Sequence, residues 1–252
     1  MAEVPGTLEG WYALHDFRRV DWPRLKTLTR SEREAVVGEA AEYLSPAGAP
    51  AEGASALYGI IGHKADLLFL HLRPTVEELG RLERALASTR LGDFLLPAYS
   101  YLSVTELSLY EASARGGSED PAALMQNPFV QKRLKPAIPE MPYVSFYPMN
   151  KRRGETVNWY AADMEERRRM MREHGSTGRK YQGQITQMIT GSMGLDDWEW
   201  GVTLFATDAL AIKKLVYEMR FDEVSAKYAE FGPFQVGTRV TPEQLGSFLQ
   251  MS

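Results

Sequence analysis

The sequence predicts an α+β fold made of two β-α-β-β-α-β units, and three observations carry that expectation. Strand and helix patterns follow one another in the same order twice, a proline-rich stretch separates the two runs, and 252 residues suit one large or two small domains. In such a unit, the split βαβ or ferredoxin-like arrangement, an antiparallel sheet is covered on one face by two helices. Two such sheets can pack face to face as an α+β barrel.

In chain order, residues 7–17 (TLEGWYALHDF) read as a strand, and Asp21 with Pro23 opens a helix running to about Leu44. ALYGIIGH (56–63) and LLFLHLR (67–73) are short apolar runs around Lys64, Ala65 and Asp66, a hairpin pattern. Thr75 with Glu77 and Glu78 starts a second helix, and YSYLSVTELSL (99–109) is a further strand. The order then repeats: strand 143–149, helix 161–174, strand 184–191, strand 199–207, helix 208–220 and strand 231–237. Residues 111–142 carry Pro121, Pro128, Pro136, Pro139 and Pro142 with little periodicity, which predicts a linker between units 1–110 and 143–252. SPAGAPAEGASA (45–56) reads as a flexible loop or a lid.

Composition narrows the chemistry. Cysteine is absent, which excludes disulfides, iron–sulfur clusters, thiolate zinc sites and a cysteine nucleophile together. With 29 Lys and Arg against 33 Asp and Glu the net charge is −4, the wrong sign for a nucleic-acid binder. MAEVPGTLEGWYALHDF lacks a basic stretch followed by an apolar one, and no run reaches the roughly 18 apolar residues of a membrane helix. A soluble cytoplasmic protein, with no membrane or nucleic-acid partner, is the expectation.

Four histidines, His15, His63, His71 and His174, show no i,i+4 pair of the kind a helical zinc site uses. His174 is distinctive because it closes AADMEERRRMMREH before Gly175, with Met170 and Met171 one turn back. One imidazole beside thioethers is a poor metal cage, but it suffices for haem iron, whose porphyrin brings four ligands; the alternative is a histidine interacting with the helix dipole. In YVSFYPMNKRR, strand alternation places Tyr143, Ser145 and Tyr147 on one face, followed by Lys151, Arg152 and Arg153. A tyrosine beside a bound oxidant can give up a hydrogen atom, and nearby cations can hold carboxylates; a strand end with a solvated basic turn is the alternative. Arg220 is either a bidentate carboxylate partner or an ion-pair partner of Glu218, Asp222 or Glu223.

Together, YPMNKRR, NWY (158–160), ERRRMMREHGSTGRKYQGQITQMITGSMGLDDWEWGVTLFATD and VYEMRFDEVSAKYAEFG resemble the coproheme decarboxylases of the chlorite dismutase superfamily. The similarity is closest over about 141–237. It implies two ferredoxin-like units forming a dimeric α+β barrel, usually in a homopentamer. It also implies hydrogen-peroxide-dependent decarboxylation of iron coproporphyrin III (coproheme) to haem b, the porphyrin serving as substrate and redox cofactor. On matching positions, His174 would be the proximal iron ligand, Tyr147 the residue oxidised to a radical, and Met149 a neighbour of the reacting edge. Lys151 would bind one propionate and Arg220 with Ser225 another, while Gln187 would lie over the iron and Arg133, Tyr110 and Trp159 would line the site. A neutral Gln187, where chlorite dismutases proper carry an arginine, disfavours chlorite breakdown. The resemblance further implies porphyrin exchange with a ferrochelatase; a haem carrier and a chlorite- or peroxide-detoxifying enzyme are the competing readings.

Overall fold

Alternating strand patterns become one continuous sheet in the computed structural model, which describes residues 4–48 and 50–249. The first half runs β1 (Thr7–Val20), α1 (Trp22–Leu25), α2 (Arg30–Gly48), β2 (Ala54–Ile61), β3 (Leu67–Arg73), α3 (Val76–Ala87) and β4 (Leu95–Ser108). Three short helices follow, α4 (Leu109–Gly116), α5 (Pro121–Leu124) and α6 (Pro128–Leu134). The second half runs β5 (Tyr143–Lys151), α7 (Met164–Arg179), β6 (Ile185–Gly191), β7 (Trp200–Ala206), α8 (Ala209–Met219), α9 (Glu223–Tyr228), β8 (Ala229–Phe231), β9 (Gln235–Val240) and α10 (Leu245–Phe248). The fold is α+β, as the pattern predicts. Among the described residues no helix is long and apolar enough to cross a membrane.

The pairing order β7-β6-β4-β1-β3-β2-β9-β5-β8 is antiparallel throughout, and β5 also pairs with β7, so eight strands form a closed circuit. Closure leaves few free strand edges. One face of the circuit is filled by Ala13, Phe17, Tyr58, Leu70, Tyr101, Val144, Phe146, Met188 and Phe205, drawn from both halves. The opposite face packs on helices: α2 over the first half, through Val36, Ala40 and Leu44, and α8 over the second, through Ile212, Leu215 and Met219.

Several boundaries differ from the sequence expectation for identifiable reasons. The helix expected over 21–44 is two helices. Asp21 caps the first, accepting from the Arg24 amide, whereas Thr29 and Glu32 exchange hydrogen bonds that start the second. The expected loop 45–56 is shorter, because α2 continues to Gly48 and β2 begins at Ala54; Ala49 lies outside the described residues. The expected strand 231–237 is split between β8 and β9, which pair with different stretches of β5. Residues 111–142, expected to link the units, hold α5 and α6, whose Leu124, Val130 and Leu134 pack with Leu8 and Leu107 of the sheet. His174 does not close its helix: α7 starts at the Asp163 cap and runs through Gly175 to Arg179. An interior glycine costs only about 1 kcal/mol. At Gly178 the missing side chain admits α8, since a Cβ there would come within 3.3 Å of Met219.

Candidate functional site: the helix-covered face of the second unit

Strand β5 alternates as expected. Val144 and Phe146 enter the shared core, while Tyr143, Tyr147 and Met149 lie on the side that packs against α8. Pairing extends this face sideways, because residues opposite each other on antiparallel strands share a face. Val236, Ser145, Leu204 and Gln187 form one cross-strand row, and Tyr147, Val202 and Ile189 form the next. Gln187 and Tyr147 therefore share the helix-covered face.

Tyr147 is nearly buried, 5% exposed, with its ring stacked on Phe234 at 4.3 Å and tilted toward Phe231 at 5.7 Å. Burial pushes its phenol up to about 12 against the opposing pull of Arg220, so it is a neutral phenol at physiological pH. The Arg220 guanidinium lies 3.6 Å from the Phe231 ring centroid and makes no ion pair among the described residues. Its three sequence neighbours are engaged elsewhere: Glu218 with Lys180 and Tyr181, Asp222 with His174, and Glu223 with Arg169. Arg220 and Ser145 line a cavity of about 400 Å³ between the sheet and α8, together with Ile212, Val216, Phe234 and Val236.

On α7, His174 Nδ1 lies 2.8 Å from Asp222 Oδ2. Asp222 sits where α8 ends and caps α9, accepting the Ser225 amide at 2.8 Å. Burial works against the charged carboxyl, yet the bonds from His174 and Ser225 outweigh it and hold Asp222 below the usual carboxylate range. An ionised Asp222 is acceptor-only, so Nδ1 carries the proton and Nε2 is the ring nitrogen left to face a ligand. Sequence reading missed this partner because 48 residues separate the pair. Ser225, 6% exposed, belongs to the same junction.

The end of β5 is fastened by a second residue that sequence reading passed over. Glu199, 6% exposed, accepts the Lys151 amide at 2.9 Å and the Tyr160 hydroxyl at 2.6 Å, faces Arg153 at 3.4 Å, and donates its own amide to Asn150. Above it the Lys151 ammonium lies 4.9 Å from the Trp159 ring centroid. Burial lowers Lys151 to about 8, with Asp222 and Glu199 opposing. Trp159 is itself buried among Met170, Val224 and Tyr228.

The structure thus collects Tyr147, Met149 and Arg220 around Phe231, joins His174 to Ser225 through Asp222, and sets Lys151 on Trp159. Two of the sequence candidates lie apart from these contacts. Arg133 is in the last turn of α6, the helix packed on β1 and β4. Tyr110, on α4, reaches α7, where Arg172 donates to its hydroxyl at 3.2 Å and Arg168 covers its ring at 4.4 Å.

Among the described residues no three His, Asp or Glu side chains converge on a metal position. A lone imidazole backed by a carboxylate suits a ligand that brings its remaining iron donors with it. Arg220, with no ion pair among the described residues, and half-buried Lys151 suit carboxylates, and the aromatic wall suits a flat apolar body. The residues fit a polycarboxylate iron porphyrin.

The sequence profile of the chlorite dismutase family matches residues 33–240, more than half of the chain. The chain belongs to the chlorite dismutase family. Within the family, it is 49% identical over 254 residues to the coproheme decarboxylase of Staphylococcus carnosus, covering all of both chains. A putative heme-binding protein of Haloquadratum walsbyi is also 49% identical, over 99% of this chain but 48% of its own, so the chain spans about half the length of that relative. The solved structure of a heme-binding protein from Thermus thermophilus superposes with a TM-score of 0.91 at 44% identity, covering 99% of each chain. Chlorite dismutase from Candidatus Nitrospira defluvii shares the fold, with a TM-score of 0.76 at 22% identity over 96% of each chain.

Proposed function

We propose that this protein is a coproheme decarboxylase, converting iron coproporphyrin III to haem b with hydrogen peroxide. The observation that carries the reading is a carboxylate-backed His174 in the same half of the chain as an aromatic face holding Tyr147, in a chain 49% identical over its whole length to the Staphylococcus carnosus enzyme. For each of two propionates the balance is propionate plus hydrogen peroxide plus a proton giving a vinyl group, carbon dioxide and two waters. The bound iron, with peroxide, supplies the oxidising power.

The chain positions and relays. His174 Nε2 would hold the iron while Asp222 holds the Nδ1 proton. Tyr147, kept protonated by burial, has a hydrogen atom to lose and can then take one from the propionate carbon beside it, with Met149 next to that edge. Lys151 and Arg220, with Ser225, hold carboxylates, and charged hydrogen bonds of this kind contribute about 1.5–3 kcal/mol each. Gln187 would face the porphyrin from the side of the sheet that holds Tyr147, and Trp159, Tyr110 and Arg133 would complete the surroundings. The units 1–110 and 143–252 joined by 111–142, a dimeric α+β barrel, a homopentamer, a cytoplasmic location and porphyrin exchange with a ferrochelatase belong to the same proposal.

Adding iron coproporphyrin III and titrating peroxide, with mass spectrometry of the porphyrin, tests it. Stepwise loss of two carboxyl groups is the expected result, and a Tyr147→Phe variant should bind the porphyrin but release no carbon dioxide. Bleaching without decarboxylation would leave a haem carrier as the better account.

A further inference from the structure

Ser145 is fully buried at the centre of β5, and its hydroxyl has no hydrogen-bond partner among the described residues. A buried hydroxyl without an acceptor is a net cost to folding, and an alanine would fill the position without it. The residue nevertheless lines the cavity beneath α8, two residues from Tyr147 on the same face and in one cross-strand row with Gln187. Ile212, Val216, Phe234 and Val236 make the cavity walls apolar, and the cations Arg220 and Lys213, with Tyr217, line it as well; Arg220 is exposed and has no ion pair among the described residues. A neutral donor at depth and a cation at the rim, with hydrocarbon between, fit an apolar body that carries carboxylates.

We propose that the Ser145 hydroxyl is a specificity-determining contact that donates a hydrogen bond to a carboxylate of the porphyrin substrate. The assignment rests on the substrate reading above and adds to it a residue that discriminates carboxylate-bearing porphyrins from others. Binding then supplies an acceptor to a hydroxyl that has none among the described residues.

The test compares the intact protein with Ser145→Ala and Ser145→Thr, titrating each with iron coproporphyrin III and with iron octaethylporphyrin, which has no carboxylate, and recording thermal unfolding of each without ligand. Loss of a hydrogen bond to a charged group predicts an affinity for iron coproporphyrin III about tenfold weaker in Ser145→Ala, restored in Ser145→Thr. Affinity for iron octaethylporphyrin should stay unchanged, and the unfolding temperature of Ser145→Ala should equal or exceed that of the parent. Equal binding of iron coproporphyrin III by parent and Ser145→Ala would overturn the inference. A lowered unfolding temperature with both porphyrins weakened in parallel would overturn it as well, marking Ser145 as structural. Failure of the parent itself to bind iron coproporphyrin III would be a distinct result, sinking the substrate reading and this inference with it.

Discussion

In the proposed site His174 would meet the iron through Nε2, because Asp222 holds its Nδ1 proton. The carboxylate sets the tautomer and the ring orientation, and it makes the imidazole a stronger electron donor. Replacing Asp222 by Asn keeps the shape and an acceptor oxygen but removes the charge. The expected outcome is a lower iron–histidine stretching frequency in the ferrous coproheme complex and porphyrin affinity weakened about tenfold. Resonance Raman spectroscopy with a binding titration checks both; an unmoved band would show that Asp222 does not act through the ligand. Asp222 was hidden in the sequence for a simple reason. It stands next to Arg220 and Glu223, where a local ion pair is the natural expectation, and only the packing of α7 against α9 turns it toward His174.

Between residues and fold, the elements divide into those that local chemistry specifies and those that packing decides. The hairpin β2–β3, the Thr75 cap of α3 and the two faces of β5 are all visible in period and capping residues. The break between α1 and α2, the run of α7 through two glycines and the short α9 are not, since each depends on partners distant in sequence or on caps inside an apparently helical stretch. The basic turn after β5 is of the second kind. Its residues Lys151, Arg153 and Tyr160 are gathered by one buried carboxylate, Glu199, at the start of the neighbouring strand. Glu199→Ala should release that turn while leaving the circuit of strands intact. Amide hydrogen exchange over residues 151–160 is expected to speed up about tenfold or more, with β1 and β3 unchanged. Exchange unchanged in the turn would show that Trp159 and its apolar neighbours hold it without Glu199.

Across the whole molecule, the closed circuit and the helices that cover it bury polar groups away from water. His15, on β1, is fully buried where the two halves meet: its Nε2 is 2.8 Å from Thr203 Oγ1 on β7, its ring lies 4.2 Å from Phe146, and its Nδ1 has no partner among the described residues. His71, 3% exposed on β3, bonds Ser55 through Nδ1 at 2.6 Å. Burial lowers both imidazoles to about 3, aided at His71 by Arg73 and opposed at His15 by the nearby Tyr101 backbone. The unfolded chain binds a proton at each near pH 6.5, whereas the folded chain stays neutral until about pH 3. Their neutral burial therefore leaves stability undiminished above pH 6.5 and removes it progressively between 6.5 and 3, by about 1.4 kcal/mol per histidine per pH unit. Chemical denaturation at pH 7.5, 6.5 and 5.5 should show a fall of less than about 1 kcal/mol over the first interval and of about 2 kcal/mol over the second. Glutamine at position 15, which cannot titrate, should flatten about half of that fall even if the variant starts from a lower stability. An unchanged slope would mean that the junction between the two halves admits a charged His15, and that the circuit opens there before the chain unfolds.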